Sequence, residues 1–268
     1  MRFLSLLLLL LSCCAPMSSA QPLASRNVTG ARAAYPWWKS MQSAIMSMQR
    51  LGPGGYSTDD GAKQALVDSF TWNERLKRPV FTPMVARPSF CSSAVWVATL
   101  SALVHWEKQN RYRAISPAAW QALMPRLVKD GEGPWGYANG PGFALLAHRL
   151  GAGVNFTDWK LARPSDVLKI WWNEHIGAQE RGHLVILVKD EGDTACVWSS
   201  HKARDGQPAG YGLRRIPKSA MKRVLFTRIT RPAAFTRAHK LPDEPWLTGL
   251  MQANTTWAEC VRRCGIHD

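Results

Sequence analysis

Apolar residues recur with two different periods along the 268-residue chain, and the change of period divides it. The first half spaces them three and four apart, as amphipathic helices do. One helix opens at Pro36, where a missing N–H is no loss, and carries Trp38, Met41, Ile45 and Met48 on one face before Gly52-Pro53 stops it. A second is expected from Thr58-Asp59-Asp60 to about Leu76, with Leu66 and Phe70 inward. Lys77 to Phe90 contains Pro79, Pro83 and Pro88 and reads as an extended crossing segment. A third helix starts at Cys91 and ends near Asn110, with Val97, Leu100, Ser101 and Val104 as its amphipathic stripe. Ser116-Pro117 opens a fourth, an N-cap followed by proline, with Trp120, Leu123, Met124 and Leu127 inward and an end by Asp130-Gly131. A fifth spans Pro141 to Leu150.

Beyond that point the apolar runs have strand length. Val167–Trp172 follows the turn Arg163-Pro164-Ser165-Asp166. Gly182–Val188 and Thr194–Ser200 flank the turn Asp190-Glu191-Gly192-Asp193, and Tyr211–Ile216 and Val224–Ile229 are two more strands. Helices first and then strands joined by short turns indicate an α+β fold with an antiparallel sheet, not alternating βαβ units. After Pro232 the tail, with Trp246 and Trp257, is expected to fold back on the body as a helix. The chain has no internal repeat, Gly-rich phosphate loop, HExxH or GxSxG.

Composition changes this picture at the N-terminus and in the charge. Arg2 followed by the apolar run Phe3–Leu11 suits residues 1–20 to a signal peptide, with Ser18-Ser19-Ala20 before a cleavage site. Leu10-Leu11-Ser12-Cys13 is an alternative, a lipobox that would lipidate Cys13 and anchor the protein to a membrane. Either reading makes the protein exported, periplasmic or secreted. Residues 21–80 then form a linker and helical extension, 81–232 the main domain and 233–268 a C-terminal tail. The formal net charge is +15, and eleven Lys or Arg against the single acid Asp205 lie between His201 and Lys240. In an exported protein such a surface points to anionic envelope polymers or lipid headgroups rather than nucleic acid. Cys91, Cys196, Cys260 and Cys264 are too sparse for a disulfide framework, and Cys260, Cys264 and His267 lack the second pair a metal site needs. No metal or organic cofactor is expected.

Candidate chemistry centres on Cys91. A thiol in the first turn of a helix lies at the positive end of the helix dipole, among N–H groups that could hold an oxyanion. A thiolate nucleophile needs a base and an orienter for that base. His183 is the histidine placed for this, at the mouth of the apolar strand His183–Val188. If the following turn centres between Glu191 and Gly192, Ser200 stands opposite His183, and a one-residue shift brings Ser199 or His201 there instead. Ser200 and His201 are therefore the candidate third members. The loop Gly133–Gly142 interleaves glycine and proline with Trp135, Tyr137 and Asn139, which suit stacking and hydrogen bonding to a ligand, and Ser92 beside the thiol joins them as a candidate binding residue.

This order of a cysteine at a helix start, a Pro-Ser-Asp turn and strand, Gly-His opening a strand, and a polar end on the paired strand resembles the NlpC/P60 family of papain-like cysteine peptidases and amidases. The resemblance covers roughly residues 83–232. It implies a papain-like core with N-terminal helices packed on an antiparallel sheet, Cys91 as nucleophile, His183 as general base, and Ser200 or His201 as the third group. It also implies hydrolysis of amide bonds, foremost in peptidoglycan stem peptides, through an acyl-enzyme. Phe90 stands where the family usually has aspartate, Ser165 where it has glycine, and the family's oxyanion tyrosine has no evident counterpart. Two other functions share these features: acyl transfer or hydrolysis on lipids by the same dyad, and a non-catalytic, basic, Trp-rich module that grips an envelope polymer. Oligomeric state is not encoded in any of these patterns.

Overall fold

The computed structural model describes residues 35–111, 113–127 and 140–267. The signal and lipobox readings, the linker to residue 34 and Trp135, Tyr137 and Asn139 lie outside them. Helices α1 (Trp37–Gln49), α2 (Asp60–Asp68), α3 (Cys91–Asn110), α4 (Pro117–Leu123) and α5 (Gly142–Leu150) precede most of the sheet, and α6 (Pro245–Gly249) and α7 (Trp257–Arg263) follow it. A six-stranded antiparallel sheet has the order β3 (Gly153–Phe156), β9 (Arg223–Ile229), β4 (Val167–Trp171), β6 (Gly182–Asp190), β7 (Thr194–His201), β8 (Gly210–Pro217). The fold is thus mixed α+β with antiparallel pairing.

Helix α3 is the axis of the molecule. Its stripe was expected to be amphipathic, yet every residue from Ser92 to Leu100 is buried. The segment is apolar or small all round, so it can be enclosed by α1 on one side and by β6 and β7 on the other. One core joins Trp37, Met41 and Met48 to Trp96, Leu100, Leu184, Trp198, Phe235 and Cys260, so extension, body and tail pack together. The sheet's other face has a smaller core of Leu168, Ile170, Val185, Leu187, Val197 and Phe226 under Phe156, Trp159 and Met221. Cover on both faces explains why these strands read as continuous apolar runs.

Three helical expectations need correction. The face of α1 turns on Trp37, which is buried, while Trp38 is exposed. Helix α2 stops at Asp68, far short of Leu76. Asp59 caps its start by accepting from the Ala62 N–H, and Ser69 Oγ donates to the Leu66 carbonyl at its end. The chain then makes a hairpin of β1 (Phe70–Asn73) and β2 (Arg78–Phe81), favoured by the β-formers Phe70, Thr71 and Trp72 and by edge positions that tolerate Pro79. Helix α4 ends at Leu123 because Pro125 disfavours helix at Met124, and Leu127 is exposed rather than inward. Strands β3, β5 (Ile176–Gly177) and β10 (Asn254–Thr255) were not expected, and the last two pair with each other, fastening the tail to the body.

Candidate active site

Three local devices bring Cys91 to the sheet. Phe90 has extended backbone and Cys91 is the first residue of α3. The Ser93 hydroxyl accepts from the Phe90 N–H (3.0 Å) and donates to the Phe90 carbonyl (2.8 Å), fixing the first turn. The preceding segment is held from both sides: Ser89 Oγ donates to Ser200 Oγ (2.8 Å), Ser57 N–H donates to the Ser89 carbonyl (3.1 Å), and Tyr211 OH donates to the Ala86 carbonyl (3.0 Å). Cys91 itself is half-buried, whereas Cys196, Cys260 and Cys264 are buried. Ser92 is buried next to it in the first turn.

The β6–β7 hairpin supplies the imidazoles. Its turn closes one residue later than the sequence reading placed it, with Glu191 N–H donating to the Thr194 carbonyl (2.9 Å). A bulge between Leu187 and Lys189 then resets the register so that Ile186 faces Trp198. Continued past that pair, the register sets His201, not Ser200, level with His183. There the Ser199 hydroxyl donates to the Leu184 carbonyl (2.7 Å) and lies 3.3 Å from the Cys91 carbonyl, to which it can turn its single proton instead. One hydroxyl therefore ties the start of α3 to the residue next to His183. Among the described residues no hydrogen bond joins Cys91 Sγ to His183.

His183 Nε2 and His201 Nδ1 are 2.9 Å apart, and His201 Nε2 is 3.1 Å from the Gly212 carbonyl on β8. A carbonyl only accepts, so His201 carries its proton on Nε2 and presents a bare Nδ1. His183 must then donate from Nε2, which leaves its own Nδ1 lone pair free to act as a base. Burial pushes His183 down to about 3, helped by the neighbouring His201 and Lys169. Burial, with Arg214 adding to it, pushes His201 down to about 4 against the opposing bond to Gly212. Both rings are neutral over most of the useful pH range.

Ser200, the other candidate third residue, has its hydroxyl engaged with Ser89 and is wholly buried. It positions the segment before Cys91 and makes no bond to His183. The sequence reading missed Tyr56, placed in a helical extension with no chemical role. Tyr56 bridges to Ser89 beside the thiol, and burial together with the Cys91 sulfur pushes its phenol up to about 12. The available signal was the Gly54-Gly55-Tyr56 turn, since glycines permit a close crossing: a Cβ on Gly54 would meet Arg87, and Ser89 N–H donates to the Gly55 carbonyl. The Pro-Ser-Asp turn also has a physical reason. Ser165 has φ of 77°, which glycine adopts more easily, and Asp166 accepts from Arg163 N–H and Arg228.

Comparison of the chain with known protein families, with characterised proteins and with solved structures finds no match. No helix among the described residues is long and apolar enough to cross a membrane.

Proposed function

We propose that the protein is a cysteine hydrolase of the papain-like, NlpC/P60 type that cleaves amide bonds, with Cys91 as nucleophile, His183 as base and His201 as the residue that orients it. The observation that carries this reading is the chain of hydrogen bonds from His183 through His201 to the Gly212 carbonyl, which leaves His183 Nδ1 bare, on a strand whose Leu184 carbonyl shares the Ser199 hydroxyl with the carbonyl of Cys91.

The steps follow from the groups present. His183 Nδ1 takes the Cys91 proton as the sulfur attacks the carbonyl carbon, and the helix dipole and backbone N–H groups at the start of α3, with the Tyr56 hydroxyl, stabilise the tetrahedral oxyanion. The imidazolium returns its proton to the leaving amine, giving a thioester. Water, deprotonated by the same nitrogen, then releases the acid. Hydrogen bonds between a nucleophile and its base are often long or unmade in unliganded sites and tighten when substrate binds.

For an exported protein of net charge +15 the leading substrate is the peptide stem of peptidoglycan, an anionic polymer. Digestion of purified muropeptides followed by mass spectrometry tests this, with Cys91→Ala as control. New amide cleavage products that vanish in Cys91→Ala are expected. Turnover of a lipid ester or acyl chain without any muropeptide product would replace the substrate while keeping the dyad. Muropeptide binding by both proteins with no product from either would favour the non-catalytic module.

A further inference from the structure

The two edges of the six-stranded sheet are unequal. Strand β3 is four residues long, whereas β8 runs for eight, paired to β7 throughout with no shift of register. The outer side of β8 is occupied at one end. There Pro53–Gly55 crosses antiparallel to it: Tyr211 N–H donates to the Pro53 carbonyl (2.8 Å) and Gly55 N–H to the Ala209 carbonyl (3.1 Å). A Cβ on Gly210 would stand 1.8 Å from the Pro53 carbonyl, so glycine permits the crossing. Backbone groups alternate sides along a strand. Because Tyr211 N–H points outward, so do the N–H and C=O of Leu213 and Arg215, and among the described residues these have no backbone partner. The exposed side chain of Leu213 lines a groove of about 330 Å3 with Gln42, Ile45, Met46 and Gln49 of α1 and Leu187 of β6. On the other face Arg214 donates to the Pro208 carbonyl (2.9 Å) and forms no ion pair among the described residues. Open edges are normally shortened, bulged or crowded with charge. Here Arg215 is turned to Glu191 (2.9 Å), and the residue at the centre of the edge is an exposed leucine.

We propose that the outer edge of β8 is a docking site for an extended polypeptide segment in which apolar and acidic residues alternate, added antiparallel as a seventh strand. The segment continues the line that Pro53–Gly55 begins, where the chain itself turns away through Gly52 into α1. In an antiparallel pair the residue opposite Leu213 exchanges both hydrogen bonds with it and points to the same face, so its side chain enters the groove beside α1. The next residue of the segment points to the other face, toward Arg214, and an acidic side chain there supplies the carboxylate that the guanidinium lacks. Main-chain bonds give the affinity, and the groove and Arg214 give the selectivity. Charge decides against a second copy of this chain as the occupant. Each copy carries +15, and joining two β8 strands would bring Arg214 and Arg215 of both close together. The inference does not depend on the chemistry at Cys91.

Fluorescence anisotropy of a labelled peptide, Glu-Val-Glu-Leu-Glu-Val-Glu, titrated with the full chain tests this, and saturable binding is expected. The same peptide N-methylated at its valines and leucine loses the donors that face β8 and should bind about tenfold more weakly, whereas N-methylation at the inner glutamates leaves affinity within about twofold. Leu213→Pro removes an outward N–H and keeps the ladder to β7, as an edge strand allows, and should weaken the parent peptide about tenfold. A thermal melt checks that this variant folds; if it does not, the two methylated peptides decide the question on the wild-type protein. Absence of binding, any other pattern between the methylated peptides, or wild-type affinity in folded Leu213→Pro overturns the proposal and leaves β8 a guarded edge or a general anion-binding surface. Dimerisation in sedimentation equilibrium that Leu213→Pro abolishes would give the edge to a second copy and also overturns it.

Discussion

Two neutral imidazoles, His201 buried and His183 partly so, make the protein acid-sensitive in a window that the structure defines. His183 and His201 are depressed to about 3 and about 4, while in the unfolded chain both return to about 6.5. A group whose folded value is depressed contributes stability that is fully present above its unfolded value and is lost as pH falls toward the folded one. At pH 5 both rings are still neutral in the native state and almost fully protonated in the unfolded state. The loss between pH 7 and pH 5 is therefore set by the unfolded value alone and does not depend on how far below 5 the folded values lie. For each ring it amounts to about 2 kcal/mol. His183 has an open edge and contributes somewhat less, so the pair removes about 3 kcal/mol. Carboxylates add little, because their unfolded values lie near 4. Urea unfolding followed by tryptophan fluorescence at pH 7, 6 and 5 measures this, in wild type and in His201→Gln and His183→Gln. Each variant is expected to lose about half of the pH dependence at its own cost in stability. A wild-type change below about 1 kcal/mol, or a wild-type slope preserved in the double variant, would refute the buried neutral pair and with it the assigned tautomers.

The remaining predictions concern single groups. Limited alkylation of the native protein should modify Cys91 well ahead of Cys196, Cys260 and Cys264, which are buried, Cys196 and Cys264 also having thiols pushed up by their surroundings; tryptic mapping reads the order. His201→Ala frees the His183 ring to choose the other tautomer and is expected to slow the proposed amide hydrolysis roughly a hundredfold with little change in KM. Ser200→Ala leaves the buried Ser89 hydroxyl without its acceptor and should lower stability by about 1–2 kcal/mol in a urea melt, with Cys91 still reactive. Ser165→Val places a β-branched residue at positive φ and should destabilise by about 2 kcal/mol, whereas Ser165→Gly stays within about 1 kcal/mol of wild type, relief of strain offsetting the lost bond to the Trp38 carbonyl.

The order of helices before strands, the start and end of the Cys91 helix and the hairpin that bears His183 are all written in local patterns of the chain. These are local matters: a proline, a cap, a turn and a run of one period act over a few residues, and the chain spells them out. Where helix and strand signals overlapped, as at Phe70–Asn73, neighbouring contacts decided, since the hairpin is anchored by Arg78 to buried Glu107 far along α3. Only the tertiary structure chose His201 over Ser200, because one bulged residue in a strand moves the register by one and no local pattern fixed it. Only the tertiary structure brought Tyr56 to the thiol, inserted β9 between β3 and β4, and set Lys169 against Glu180 across Gly182. Each of those contacts joins segments whose separate sequences are ordinary, and it exists because a shared core makes their backbones cross.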